Sequence, residues 1–248
     1  MYDLETRRQA LALVEQGRSL NAVSKQTGVS RATIRQWQIR IEPLPRVALR
    51  SCPGVPADSA SYAYLLGLYL GDGCVSPHPH GGFYLRIACA DSWPGLIELC
   101  RAAVTAVRPE AALSVLKKEG CVMVSSHDRH WPCLFPQHGP GKKHERTIEL
   151  TTWQQEIVAD HPWELIRGFI HSDGCRTINW TTRVVAGEKK RYEYPRYFFT
   201  NMSADIMRLY TDTLDRLGVA WRRSNARTVS VAKRASVALM DAHVGPKY

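Results

Sequence analysis

The sequence predicts an α+β protein in two parts, a small all-helical domain followed by a larger body built from two related halves. Three observations carry this. The first forty residues break into three short helical segments, separated at Gly17 and Gly28. Prolines 43, 45, 53 and 56, with Gly54, interrupt regular structure over residues 42–58. Beyond them a weak internal repeat recurs, and within each copy helices and strands alternate without the period of a βαβ array.

Leu4, Leu11 and Val14 fall at helical spacing in a segment from Leu4 to Gln16 that Gly17 ends. Ser19 can cap a second helix through Thr27, and Ser30 a third running to about Ile41. Val23, Val29, Ile34 and Trp37 then form a small core, while Ser24 is small enough for close helix contact and Gly28 permits a positive φ at the turn. This is helix-turn-helix spacing. The outer face of the third helix carries Arg31, Thr33, Arg35 and Gln36, side chains suited to phosphates and base edges in a major groove.

Residues 1–41 are thus read as one domain, 42–58 as a Pro-rich linker, and 59–160 and 161–248 as the two halves. The first half opens on Leu65-Leu-Gly67-Leu-Tyr-Leu-Gly71-Asp72-Gly73-Cys74, the second on Ile166-Arg-Gly168-Phe-Ile-His-Ser172-Asp173-Gly174-Cys175. Each ends in a related element, His138-Gly-Pro-Gly-Lys142 and His243-Val-Gly-Pro-Lys247. Strands are expected at Phe83–Cys89, Leu113–Leu116, Val122–Ser125, Tyr197–Thr200, Trp221–Arg223 and Val229–Ala232. The second copy carries an additional basic stretch, Thr181 to Pro195.

Gly67 and Gly168 sit inside apolar helices, where glycine costs about 1 kcal/mol against alanine. Gly71 and Ser172, four residues on, are also small and share the same face. Two such faces let helices touch backbone to backbone, and each helix is the other's natural partner. Side by side around a pseudo-two-fold axis, they bring Asp72 and Asp173 together at their C-terminal ends. Carboxylates there face the negative pole of each helix and repel one another. A hard divalent cation, taking carboxylate and phosphate oxygens together, resolves that conflict.

These two segments resemble the paired motifs of the monomeric LAGLIDADG homing endonucleases, and the resemblance spans roughly residues 60–248. It implies two αββαββα half-domains forming a DNA-binding saddle. It implies Mg²⁺, two or three ions at the pseudo-dyad, held by Asp72 and Asp173 with the backbone carbonyls of Gly71 and Ser172. It also implies a lysine near each metal, matched by repeat position to Lys142 and Lys247, with Lys143 and Lys233 as rivals. The implied activity is site-specific, metal-dependent hydrolysis of double-stranded DNA, giving a staggered break. Two departures stand out: Leu70 and His171 occupy a position that is often acidic in the family, and Arg167 interrupts the small-residue pattern of the second motif. The same fold also admits a non-cleaving transcription regulator or an RNA-splicing maturase. Retention of both aspartates favours the nuclease.

Charge supports a polyanionic partner. Residues 1–50 carry 9 basic and 4 acidic side chains, residues 51–175 carry 10 and 13, and residues 176–234 carry 13 and 5. Candidate DNA contacts in the body are Tyr84, Arg86, Arg176, Asn179, Lys189, Lys190, Arg191, Arg196, Arg222, Arg223, Asn225 and Arg227. The longest charge-free apolar stretch, 13 residues from Ser59 to Gly71, is too short to span a bilayer. Seven cysteines without a CxxC pair read as reduced thiols. His127, His130, Cys133, His138 and His144 match no zinc-finger spacing. The expectation is a cytoplasmic, nucleoid-associated monomer that binds double-stranded DNA without a membrane or an obligate protein partner.

Overall fold

The structure is a computed structural model, and it describes residues 2–42, 52, 54–79, 81–245 and 247–248. Most of the expected linker, residues 43–51 and 53, lies outside the described residues. The chain divides into two compact units, residues 1–52 and 53–248.

The first unit holds α1 (Leu4–Glu15), α2 (Leu20–Thr27) and α3 (Arg31–Ile39). Asp3, Ser19 and Ser30 cap them by accepting the backbone N–H groups of Thr6, Ala22 and Thr33. Gly28 turns the chain at φ 70° while its N–H closes on the Ser24 carbonyl at 3.0 Å. Ala10, Val23, Val29, Ile34 and Trp37 form the core. Arg7 is buried against it, its guanidinium 5.3 Å from the Trp37 ring centre and donating to the carbonyls of Tyr2 and Ile41. The third helix ends at Ile39, short of the expected Ile41, because Arg40 turns extended.

The second unit repeats one topology. Its first half runs α4 (Ser59–Asp72), β1 (Gly73–Pro77), β2 (Phe83–Ala90), α5 (Pro94–Val107), β3 (Ala112–Lys118), β4 (Cys121–Asp128), α6 (Trp131–Leu134), a 3₁₀ turn (Lys143–Glu145) and α7 (Thr152–Asp160). Its second runs α8 (Pro162–His171), β5 (Gly174–Val185), β6 (Glu188–Thr200), α9 (Ala204–Arg216), β7 (Arg222–Asn225), β8 (Thr228–Val231) and α10 (Arg234–His243). The sheet orders are β1-β2-β4-β3 and β5-β6-β8-β7, all antiparallel. One face of each sheet packs on helices, through Leu85, Ile87 and Cys89 in the first and Tyr197, Phe199, Val229 and Val231 in the second. Residues two apart share a face, as do directly opposed residues, so the register assigns every other strand side chain to the face turned away from the helices.

Sequence periodicity misses β1, β5 and the first half of β6. Strand β1 is a five-residue edge ending in Pro77. Strands β5 and β6 form a hairpin in which only Tyr197–Thr200 pairs onward to β8. The remainder is a two-stranded arm, closed by Ala186 (φ 53°) and Gly187 (φ 84°). With neither face buried, the arm has no apolar alternation to read, and it accounts for the additional basic stretch. Among the described residues no helix is long and apolar enough to cross a membrane.

Candidate active site

Helices α4 and α8 pack through a reciprocal small-residue contact. A β-carbon on Gly67 would stand 2.6 Å from the Leu165 carbonyl oxygen and 2.8 Å from the Gly168 Cα. One on Gly168 would stand 2.9 Å from the Gly67 Cα and collide with the Tyr64 carbonyl oxygen. The pairs 64/165, 67/168 and 68/169 all differ by 101 positions, the offset that also separates Asp72 from Asp173. Such i-to-j, j-to-i contacts are the signature of a local two-fold.

At the C-terminal ends of the helices the carboxyl carbon of Asp173 lies 3.4 Å from where a Gly71 β-carbon would be. Asp72 keeps one side in solvent, yet partial loss of hydration and then the charge of Asp173 push its carboxyl up to about 6, against the pull of Lys143 and Lys247. Burial raises Asp173 too, opposed first by Asn201, whose amide donates to Asp173 Oδ2 at 2.6 Å, and then by the two lysines.

The lysines are placed by the same symmetry. Lys143 Nζ donates to the carbonyls of Tyr69, Gly71 and Gly73 at 2.6, 2.6 and 2.9 Å. Lys247 Nζ donates to those of Ser172 and Gly174 at 3.1 and 2.7 Å. Each ammonium thus sits on the negative pole of one motif helix. Burial lowers Lys143 to about 8, with Asp173 and Asp72 pulling it back up; burial lowers Lys247 as well. Lys142 is not brought into this group. Its side chain is 72% exposed and faces Glu145 at 3.6 Å. It precedes the 3₁₀ turn that aims Lys143 inward, so the matching element of the repeat is offset by one residue.

The ammoniums alter the electrostatic expectation. Two aspartates and two lysines balance in charge, so the repulsion assigned to a metal is met in part by the protein itself. The donor set nonetheless fits a hard cation, being two carboxylates and two backbone carbonyls, all oxygen, at helix ends that already attract ammonium groups. Among the described residues no group of three or more His, Cys, Asp or Glu side chains could hold a metal. A cavity of about 450 Å³ borders Gly71, Lys143, Asp173, Thr200 and Asn201.

The two departures from the motif pattern find structural places. His171 is buried, its Nδ1 2.9 Å from the Tyr64 hydroxyl, and burial followed by the charge of Arg167 pushes it down to about 4, so it stays neutral. The Arg167 guanidinium lies 5.2 Å from the Tyr64 ring centre, with Nη1 3.5 Å from Glu164.

The register sorts the basic candidates. Asn179, Lys190, Arg196 and Arg222 align with the outer face of the second sheet and its arm; Arg196 stacks near Tyr194 and Phe198 at 5.7 and 5.4 Å. Lys189, Arg191 and Arg223 align with the opposite face, as does Arg176, which forms a bidentate pair with Asp241 at 2.7 and 2.9 Å. Arg191 lies 4.9 Å from the Trp180 ring centre and pairs with Glu193. Tyr84 and Arg86 share the outer face of the first sheet, the guanidinium 4.3 Å from the ring centre. Asn225 closes the β7–β8 turn by accepting the Arg227 N–H at 2.8 Å. In the first unit Arg31, Arg35 and Gln36 are exposed, while Thr33 is partly covered and its hydroxyl lies 2.7 Å from Ser30 Oγ.

Asn201 escaped the sequence reading. It follows β6 as Asp91 follows β2, and aligning the strand ends of the two halves would have exposed it.

Residues 1–42 match the family model described as a homeodomain-like domain. No curated protein sequence matches the chain. Among solved structures it is similar to the LAGLIDADG meganuclease I-AabMI bound to uncleaved DNA, at 10% identity over 73% of this chain and 82% of that one, TM-score 0.47. It is similar to I-DmoI in complex with DNA and Mn, at 12% identity over 77% and 99%, TM-score 0.46. It is also similar to the N-terminal LAGLIDADG domain of DUF199/WhiA, at 9% identity over 75% and 83%, TM-score 0.42.

Proposed function

We propose that this chain is a metal-dependent, site-specific DNA endonuclease whose two cutting centres lie at the α4–α8 dyad. The observation that carries this is the convergence of Asp72 and Asp173 with Lys143 and Lys247, each half supplying one acid and one ammonium. Asp72, Asp173 and the carbonyls of Gly71 and Ser172 would hold Mg²⁺, which supplies Lewis-acid stabilisation of a phosphate and a more acidic bound water.

The protein's own part is positional and electrostatic. The glycine contact fixes the separation of the two acids. Asn201 holds one oxygen of Asp173 and leaves the other to a ligand. Lys143 and Lys247 place positive charge where a pentacovalent phosphate gathers negative charge. The homeodomain-like unit and the basic outer face of the second sheet supply affinity for duplex DNA through phosphate contacts, and side chains such as Arg35, Gln36, Asn179 and Arg196 are suited to base edges. In this reading the chain acts as a monomer.

A second reading, a non-cleaving DNA-binding regulator, is favoured by one feature. The carbonyls of Gly71 and Ser172 already accept lysine ammoniums, so the acids are balanced without metal. Incubating the full chain with a plasmid library carrying randomised inserts separates the two. Linear product with Mg²⁺, absent with Ca²⁺, supports the nuclease; retention of plasmid with no cut under either ion supports the regulator.

A further inference from the structure

The two lysines of the site are braced in different ways. In the first half the loop before Lys143 is locked by its own neighbour. Arg146 donates through Nε to the Gln137 carbonyl at 3.1 Å and through Nη1 to those of Gly139 and Gly141 at 2.9 and 3.0 Å. In the second half Lys247 follows α10, and the next residue, Tyr248, reaches across to the first half. Its main-chain oxygen accepts the N–H groups of Gly95 and Leu96 at 2.7 and 3.2 Å. These are first-turn donors of α5, whose N-cap residue Trp93 offers no side-chain cap. The Tyr248 ring lies directly on the Gly95 Cα, where a β-carbon would overlap ring atoms and stand 2.8 Å from Cζ.

We infer that Gly95 and Tyr248 form a latch between the halves that positions Lys247 in the second cutting centre. Adjacent Cα atoms are about 3.8 Å apart, so the docking point of Tyr248 limits where the Lys247 side chain can reach. Residue 95 must be glycine for the ring to lie there. Tyr248 is itself 60% exposed, so its release leaves the core untouched. This rests on the nuclease reading for its catalytic consequence, but not for the latch itself.

Limited acylation of lysines in the full chain, read by mass spectrometry, tests the latch without DNA or metal. In the parent, exposed Lys142 labels fast, and Lys143 and Lys247 label slowly. Tyr248→Ala removes the ring and Gly95→Val displaces it, so each should raise Lys247 labelling about fivefold or more, because the apolar contact that seats the Tyr248 main-chain oxygen on the Gly95 and Leu96 N–H groups is lost. Lys143, braced by Arg146, should stay protected as the internal measure of folding, and Tyr248→Phe should behave as the parent. Unchanged Lys247 labelling in Tyr248→Ala, or equal deprotection of Lys143, overturns the proposal. On the randomised plasmid pool with Mg²⁺, Tyr248→Ala should leave nicked circles where the parent gives linear product. Equal slowing of both cuts would overturn the assignment to one centre. If the parent neither nicks nor linearises DNA, the nuclease reading fails while the labelling still decides the latch.

Discussion

Gly67 and Gly168 meet backbone to backbone, each filling the space a β-carbon on the other would need, 2.8 and 2.9 Å from the opposing Cα. The obstacles are main-chain atoms of buried helices, which cannot swing aside as a side-chain tip can. That contact sets how close the two motif ends come, and therefore how Asp72 and Asp173 face one another.

Gly67→Ala and Gly168→Ala should therefore be destabilising despite alanine's better helix propensity. An overpacked core position costs about 1–3 kcal/mol, and here two helix backbones must separate. Thermal unfolding of each variant should show a clear drop in Tm, whereas Ala at an exposed helical position would raise it. An unchanged or higher Tm in both would mean the helices are not in backbone contact.

Asp72→Asn should stabilise the chain at neutral pH in chelator. The folded carboxyl holds its proton up to about pH 6, while its ordinary value is 3.8. The folded state therefore binds more protons between about pH 4 and 6, and this contribution to stability is lost as pH rises through that window. Asparagine removes the loss. Solvent on the open side of Asp72 screens the effect, so the gain is at most about 1 kcal/mol, vanishing below about pH 4. A variant less stable than its parent at pH 7 in chelator would contradict the crowding of the two acids.

Arg196→Ala and Arg176→Ala should separate cleanly, although both are basic residues of one hairpin. Arg196 faces outward with Tyr194 and Phe198, so its loss should weaken duplex binding and reduce the salt slope by about 1. Arg176 is spent on Asp241, so its loss should lower stability and leave the slope alone. Affinity measured across a salt series decides, and equal slope changes would mean the register does not sort the faces.

Removing residues 1–52 should lower DNA affinity and its salt dependence, since 9 basic side chains lie in residues 1–50. The body keeps its own continuous core and should remain folded. An identical salt slope for the shortened chain would mean the first unit does not touch DNA.

Much of this was legible in the chain. The capped helices of the first unit follow from Asp3, Ser19, Ser30 and Gly28, because caps and left-handed turns are local. The glycine faces of α4 and α8 could be read because glycine inside an apolar helix needs a reason. The arm was opaque: Ile178, Trp180 and Val184 are exposed on a ribbon with no buried side, and alternation reports burial rather than strand pairing. Lys143 over Lys142 depended on a 3₁₀ turn shifting the repeat by one position, and Asn201 on the alignment of two strand ends. Both are long-range consequences that no local pattern encodes.

The most direct test is strand-resolved cleavage of an end-labelled duplex recovered from the library selection, comparing the parent with Asp72→Asn and Asp173→Asn in Mg²⁺. Shared occupancy of one dyad by the two acids predicts that each substitution abolishes or cripples cutting while duplex binding persists. Parental rates on both strands from both variants would contradict it.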